Sequence, residues 1–153
     1  MWSSPIHIYH DGEKEPLERY KHYLLLHFQI ELDWLKYNIR EWETTPESGY
    51  WLAPHNHGHS HFTQIYYEYV SGQGGELIIH DPRVNANRGY PQEFASHFKP
   101  YIFSPRTGDT IVFPSYLYHT AAPFTGIIRK AKVSEIQLYS KSEGKADFGA
   151  TAI

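Results

Sequence analysis

The sequence predicts a mainly β domain, a barrel or sandwich of short strands, preceded by a helical segment. Aromatic residues make up 16% of the 153 residues, and aromatic side chains favour the pleated, half-buried surface of a sheet. From about residue 49 to residue 140, short apolar stretches alternate with turn residues, which is typical of a barrel or sandwich. Residues 1–48 show a different, helical spacing. We therefore expect an N-terminal segment (1–48) packed on a β core (49–141) and followed by a tail (142–153).

The N-terminal segment carries apolar residues three and four positions apart, as one face of a helix requires. Pro16 suits the first position of a helix. Alternating apolar residues between Leu26 and Trp34 leave a strand in the middle of the segment as an alternative, but we expect a helix. The residues that define the helical face are Leu17, Tyr20, Leu24, Phe28, Leu32, Leu35, Ile39 and Trp42.

The core is predicted to consist of short strands separated by turns. Residues 44–49 form a loop, and residues 71–75 (SGQGG) form a turn. The tail is small and polar, and we expect it to be an unstructured end. The predicted strands are FTQIYYEYV (62–70), ELIIHD (76–81), YIFSP (101–105), TIVFP (110–114), SYLYHTAAP (115–123) and GIIRKAKVSEIQLYS (126–140).

Charge and composition exclude several classes of protein. Lys and Arg number 14 against 17 Asp and Glu, so the net charge is −3, whereas a nucleic-acid binder normally shows a clustered basic face. The absence of cysteine excludes disulfides, thiolate metal sites and a cysteine nucleophile. No signal peptide or membrane span is evident. We therefore expect a cytoplasmic protein without nucleic-acid or membrane partners, whose oligomeric state the sequence does not indicate.

Four histidines alternate in one short stretch, at positions 55, 57, 59 and 61. Alternate residues of a strand point to the same face, so His55 and His57 can present two imidazoles to one point. Non-haem Fe(II) oxygenases need three ligands on one face of the metal. His119 is the natural third ligand on a later strand. The alternative interpretation is a polar, solvated loop that binds metal only adventitiously.

Further motifs surround these histidines in a characteristic order. His55-Asn56-His57 is followed by IYY (65–67), GGEL (74–77), DPR (81–83), FPS (113–115), His119, and Arg129 ten residues beyond it. This order, over roughly residues 49–140, resembles the 2-oxoglutarate- and Fe(II)-dependent oxygenases. It looks most like the prolyl hydroxylase-like branch and a short phage and bacterial branch with His-x-His and FPS before the distal His.

The resemblance implies a double-stranded β-helix, also called a jelly roll or cupin-like barrel, that uses Fe(II) and 2-oxoglutarate. It implies a dioxygenase that hydroxylates a peptide side chain or a small metabolite. Arg129 and Tyr67 would bind the distal carboxylate of 2-oxoglutarate, because a planar guanidinium can form two parallel hydrogen bonds with a carboxylate. Alternatively, Arg129 lies on the outer face, paired with Glu135 or Glu76, and Tyr67 is an ordinary core residue. Arg83 and Arg106 are candidate substrate contacts, with solvated surface arginines as the alternative.

The middle position of the metal motif departs from the family pattern. His57 stands where those enzymes usually have a carboxylate, which leaves one more positive charge at the site. Three arrangements remain open: a three-histidine site, a two-histidine site completed by water, or a site completed by a carboxylate such as Asp81 or Glu68. We prefer the three-histidine site, and we place His59 and His61 at its rim.

Two other functions fit the histidines alone. One is a metal-binding cupin, an isomerase or a binding module, and the other is a non-catalytic structural protein of the phage type. Both would share the same barrel, so the fold does not separate them. Arg129 and the tyrosine pair favour the oxygenase.

Overall fold

The structure is a computed structural model that describes residues 4–86, 88–126 and 129–142. Its helices are α1 (Pro16–Phe28) and the short α2 (Ala95–Phe98), with single 3-10 turns at Leu32–Trp34 and Gln92–Phe94. Its strands are β1 (His7–Tyr9), β2 (Leu35–Thr44), β3 (Leu52–His55), β4 (Phe62–Val70), β5 (Gln73–Gly74), β6 (Leu77–Ile79), β7 (Tyr101–Phe103), β8 (Thr110–Pro114), β9 (His119–Ala121), β10 (Phe124–Thr125) and β11 (Arg129–Ser140).

The described strands form two main antiparallel sheets. The larger sheet has the order β1-β8-β4-β11-β2, and the smaller has the order β3-β9-β6-β7. A short pair, β5 with β10, lies beside them. This architecture confirms the mainly β, jelly-roll fold that the sequence predicts.

The core lies between the two sheets because each strand turns alternate side chains inward. From the larger sheet, β8 contributes Ile111 and Phe113, and from the smaller sheet, β6 contributes Leu77 and Ile79. The intervening residue Val112 points the opposite way. The site described below lies in this space between the sheets, with side chains from both of them.

Helix α1 packs on the outer face of the larger sheet. Tyr20 and Tyr23 of the helix are fully buried, against Val112 of β8 and Ile136 of β11. The Tyr20 hydroxyl donates a hydrogen bond to the Ser134 carbonyl at 2.9 Å. The structure confirms the predicted N-terminal helical segment over Pro16–Phe28.

The predicted helix is wrong beyond its first half. It ends at Phe28, because Gln29 adopts the left-handed conformation (φ 56°) and its N–H caps the carbonyls of Leu24 and Leu25. Residues 35–44 form strand β2 instead, and all ten pair with β11. The apolar spacing of three and four was misleading here, because β-favouring side chains such as Ile39 and Trp42 gain more from pairing along a long neighbouring strand than from continuing a helix.

The later strands agree with the sequence. Strand β4 has the predicted bounds of 62–70, β8 has those of 110–114, and β11 begins at Arg129 inside the predicted stretch 126–140. The tail from residue 143 onward lies outside the described residues, and the division at residue 48 stays a prediction. Neither helix among the described residues has the length and apolar character that crossing a membrane demands.

Candidate metal centre

Three imidazoles meet where β3 ends and β9 begins. His55 is the last residue of β3, His119 is the first residue of β9, and the two pair across the ladder. His57 follows in the next turn. One ring nitrogen of each histidine lies within 4.8 Å of the others. The structure thus brings together the three residues that the sequence singles out for metal binding, here called the triad (His55, His57 and His119).

The turn that carries His57 is held by Ser115, the last residue of the FPS motif. The buried Ser115 hydroxyl shares hydrogen bonds with the hydroxyls of Ser60, at 2.7 Å, and Thr63, at 2.8 Å. Its carbonyl accepts a hydrogen bond from the His57 N–H at 3.0 Å, and its N–H donates to the His61 carbonyl at 2.9 Å. The FPS motif therefore positions the second histidine of the triad through both backbone and side-chain contacts.

Each imidazole of the triad is oriented by its Nδ1 atom, which contacts an oxygen acceptor. The Nδ1 atoms of His55, His57 and His119 contact the Ala53 carbonyl at 2.8 Å, Glu135 Oε1 at 2.5 Å and the Leu117 carbonyl at 3.1 Å, respectively. A carbonyl or a carboxylate only accepts, so the proton of each neutral ring lies on Nδ1. The Nε2 lone pairs remain available, which is the usual arrangement of metal-binding histidines.

The Nε2 atoms of His57 and His119 are 3.3 Å apart. With both protons on Nδ1, neither nitrogen has a hydrogen to donate, so the two lone pairs face each other. Two imidazole nitrogens bound at right angles, each about 2.1 Å from a metal, would be about 3 Å apart. The separation therefore fits two neighbouring positions around a cation and is unfavourable without one.

Burial favours the neutral form of His119. The pKa of His119 is lowered to about 3, mainly by burial. The hydrogen bond to the Leu117 carbonyl raises this pKa, whereas the neighbouring imidazoles of His55 and His57 lower it further. His119 is 2% exposed. A set of imidazole nitrogens suits Fe(II) among other divalent transition metals.

The triad lines one end of a cavity of about 470 Å³. Arg129 and Tyr67 line the same cavity, whose walls include the apolar side chains of Leu77 and Val133. A metal held by the triad and an anion held by Arg129 would therefore share one apolar space.

Arg129 is a buried cation that has no anionic partner in the part of the chain that the structure describes. Arg129 is 6% exposed. Its guanidinium donates hydrogen bonds to the carbonyls of Gly75, at 3.0 Å, and Gly74, at 3.2 Å. Its Nε is buried without a hydrogen-bond partner, and no carboxylate of the described residues forms an ion pair with it. Burial lowers the pKa of Arg129, and the nearby Tyr67 and Glu76 oppose that effect. A buried guanidinium with free N–H groups calls for an anion from outside the chain.

Tyr67 is the second residue of the IYY tyrosine pair and lies on β4. Its side chain is buried. Burial raises the pKa of its hydroxyl, the Arg129 charge lowers it, and Asp109 raises it. The phenol therefore stays protonated and can donate a hydrogen bond into the cavity.

The two candidate substrate contacts lie away from the cavity wall. Arg83 pairs with Asp81, with Nη2 2.6 Å from Oδ2, and donates to the His97 carbonyl at 2.8 Å. Arg106 is exposed, and its Nε lies 3.8 Å from Asp109 Oδ2. Neither lines the cavity, so the geometry gives no support to a substrate contact for either.

The alternative ligands do not join the triad either. Asp81 is engaged by Arg83, and Glu68 lies 3.2 Å from Lys130 Nζ. The group of potential ligands found among the described residues contains only the three histidines. His59 and His61 are exposed and lie outside that group, and neither lines the cavity, so their place at the rim of the site stays a prediction.

Glu135 and Arg40 are the site residues that the sequence did not reveal. Glu135 was considered only as an outer-face partner of Arg129, but its buried carboxylate contacts His57 and also Arg40 Nη2, at 2.8 Å. Burial would raise the pKa of Glu135, yet hydrogen bonds from His57 and Arg40 outweigh it, so its pKa lies below the ordinary value. Counting by twos from Ala131 along β11 puts residue 135 on the inward face, and that alternation could have found it.

Fold and site together define a jelly-roll protein with three clustered imidazoles, a candidate metal centre, that share a cavity with a buried arginine. The model of a family described as "Putative 2OG-Fe(II) oxygenase" matches residues 40–134, more than half of the chain. The chain therefore belongs to this family of 2-oxoglutarate- and Fe(II)-dependent oxygenases. Fe(II) and 2-oxoglutarate are the cofactors of the family, and the triad and Arg129 suit both.

Solved structures with the same fold include three named proteins. An oxidoreductase of the 2OG-Fe(II) oxygenase family from Burkholderia pseudomallei is 18% identical, with a TM-score of 0.58 over 78% of this chain and 52% of that one. A prolyl-4-hydroxylase from Pseudomonas putida is 15% identical, with a TM-score of 0.53 over 86% and 70%. HygX from Streptomyces hygroscopicus, solved with nickel and 2-oxoglutarate bound, is 8% identical, with a TM-score of 0.59 over 88% and 82%.

These likenesses establish the fold. The chain spans about half the length of the Burkholderia protein. The comparison with curated proteins found no match.

Proposed function

We propose that the chain is a 2-oxoglutarate- and Fe(II)-dependent dioxygenase that hydroxylates a peptide side chain or a small metabolite. The observation that carries the proposal is the shared cavity: the three available Nε2 atoms of the triad and the free N–H groups of Arg129 line the same space. A metal-binding cupin or a metal-binding structural protein needs the three histidines but has no need of a buried arginine beside them.

The chain's own residues have distinct tasks in this proposal. His55, His57 and His119 hold the metal by Nε2. Arg129 binds the distal carboxylate of 2-oxoglutarate, and the Tyr67 hydroxyl donates to the same group. When bound, Fe(II) and 2-oxoglutarate would supply the oxidative chemistry with O₂ as the oxidant: one oxygen atom enters succinate as 2-oxoglutarate loses CO₂, and the other enters the substrate as a hydroxyl group. The apolar walls exclude water from the reacting groups.

The mouth of the cavity supports an apolar substrate group. Trp42 and Tyr50 line the cavity and are also partly exposed, as is Leu52 beside them. Aromatic rings at a rim bind apolar or ring-shaped groups through large contact areas. A proline side chain or another apolar side chain of a peptide fits this surface, and so does a small apolar metabolite.

The direct test is succinate formation. Purified protein is incubated with Fe(II), 2-oxoglutarate and O₂, with and without candidate peptides and metabolites, and succinate is quantified. We expect succinate formation that requires Fe(II) and rises when an accepted substrate is added. An iron-loaded protein that neither binds 2-oxoglutarate nor produces succinate would contradict the proposal.

A further inference from the structure

Glu135 is a buried carboxylate that lies behind the metal centre. It sits on β11 and faces inward, in alternation with Ser134, whose neighbours lie on the helix side of the sheet. The residue is 2% exposed. Its Oε1 lies 2.5 Å from His57 Nδ1, and its Oε2 accepts from Arg40 Nε at 2.9 Å.

Arg40 reaches Glu135 from the neighbouring strand. The two residues are direct partners in the register of β2 and β11. The Arg40 side chain is 48% exposed, so water screens much of its charge, whereas the carboxylate it holds is shielded from water. Arg40 therefore orients the Glu135 carboxylate but does not cancel the effect of its negative charge on the His57 imidazole.

The three imidazoles differ in what holds their Nδ1–H groups. His55 and His119 donate to neutral backbone carbonyls, and only His57 donates to a charged group. A carboxylate that accepts the Nδ1 proton draws it from the ring and makes Nε2 a more basic, stronger donor to a metal. The Nε2 atom of His57 is therefore the most electron-rich of the three Nε2 atoms in the triad.

The charge of the site also requires an anion nearby. Three neutral imidazoles leave both charges of a divalent cation uncompensated, and Arg129 adds a third positive charge in the same cavity. Among the described residues, Glu135 is the carboxylate in hydrogen-bond contact with the triad. It lies one imidazole ring away from the metal position, where low solvent exposure makes its charge effective.

We propose that Glu135 is a positioning residue that acts through His57, so that His57 and Glu135 together serve as one anionic ligand, with Arg40 holding the carboxylate in place. The inference rests on the metal centre of the proposed function. It explains how a site built from three neutral side chains retains a divalent cation beside a buried arginine.

The first test compares metal affinity in matched variants. Fe(II) is titrated anaerobically by calorimetry into the parent protein, Glu135→Gln, Arg40→Gln and Glu41→Gln. Glu41 is an exposed carboxylate next to Arg40 on β2 and controls for the general loss of a negative charge. We expect Glu135→Gln to weaken Fe(II) binding by roughly ten- to a hundredfold, Arg40→Gln to weaken it less, and Glu41→Gln to leave it unchanged. Melting of the metal-free proteins verifies that each variant is folded.

The second test asks whether Glu135 acts through His57. The same Glu135→Gln change is made in a His57→Asp background, where the ligand carries its own charge and has no Nδ1–H. We expect the loss of affinity to disappear there. An equal loss in both backgrounds would show that Glu135 acts only as a distant charge and would overturn the inference.

Proton NMR of the ¹⁵N-labelled protein loaded with Zn(II) gives a readout that a purely structural role would not move. The Nδ1–H resonance of His57 should lie downfield of those of His55 and His119 and shift upfield in Glu135→Gln, while the other two stay in place.

A parent protein that binds no divalent metal would contradict the proposed function itself. A parent that binds metal, with undiminished affinity in Glu135→Gln, would contradict only the inference made here.

Discussion

The backbone of Gly75 and the guanidinium of Arg129 are in direct contact. Arg129 Nη1 donates to the Gly75 carbonyl at 3.0 Å, and a Cβ added at Gly75 would collide with the same guanidinium. Gly75 also has a φ of +69°, a backbone angle that residues other than glycine rarely adopt. The second glycine of the GGEL motif, Gly75, is therefore required for the arginine to lie where it does.

Gly75→Ala should weaken 2-oxoglutarate binding without affecting iron binding, because the new methyl group displaces the Arg129 guanidinium. It should also destabilise the fold by about 1–3 kcal/mol through backbone strain. Calorimetry and urea denaturation measure the two effects. Gly12→Ala is the matched control, since Gly12 has a φ of +74° but open space around its Cβ position. Equal loss of cosubstrate affinity in both variants would show that strain, rather than the contact with Arg129, is responsible.

His119→Ala and His55→Ala should each abolish tight Fe(II) binding, because two remaining imidazoles form an incomplete chelate. Anaerobic calorimetry measures the affinity. His59→Ala, which removes an exposed imidazole outside the triad, should bind Fe(II) as the parent does. Undiminished one-to-one affinity in the His119→Ala variant would remove this residue from the metal site.

His57→Asp should retain Fe(II) binding and succinate formation, because a carboxylate oxygen can occupy the ligand position of the imidazole Nε2. His57→Ala should lose affinity, and His61→Ala should change it little. Titration of all three variants with Fe(II) checks the assignment. If His57→Ala binds iron like the parent while His61→Ala does not, the assignment of ligands along the histidine row is wrong.

Ser115→Ala should destabilise the protein by about 1–3 kcal/mol, because it leaves the buried Thr63 hydroxyl and the Ser60 hydroxyl without their shared partner. Iron affinity should also fall, since the turn that carries His57 is held by Ser115. Urea denaturation of the metal-free protein measures the first effect. Ser142→Ala, at an exposed hydroxyl in the turn just after β11, should cost much less.

The sequence was sufficient for the parts of the fold in which local pattern and tertiary environment agree. Strand β4 alternates inward Ile65 and Tyr67 with residues on the helix side, so its bounds were predictable. Strand β2 was not, because Ile39 and Trp42 lie three positions apart, which fits one face of a helix but puts them on opposite faces of a strand. Only its ten-residue pairing with β11 decides for the strand, and long-range pairing is invisible in a local pattern.

The same distinction applies to the site. His55, His57, His119 and Arg129 stood out because their residue types and order resemble a known pattern. Glu135 did not, since its role depends on a contact with a residue 78 positions away. Arg83 stood out by its motif, yet its charge is taken up by Asp81.

The central claim, that Arg129 and the triad form one oxygenase site, is tested most directly by anaerobic titration of 2-oxoglutarate into the iron-loaded protein. We predict saturable one-to-one binding in the parent. Binding should be roughly ten- to a hundredfold weaker in Arg129→Lys, because a point charge replaces a two-pronged contact to a carboxylate. Iron binding should be unchanged in that variant, and Arg88→Lys, at an exposed arginine away from the cavity, should bind 2-oxoglutarate like the parent. Absence of saturable 2-oxoglutarate binding in the iron-loaded parent would contradict the account, however tightly the histidines hold the metal.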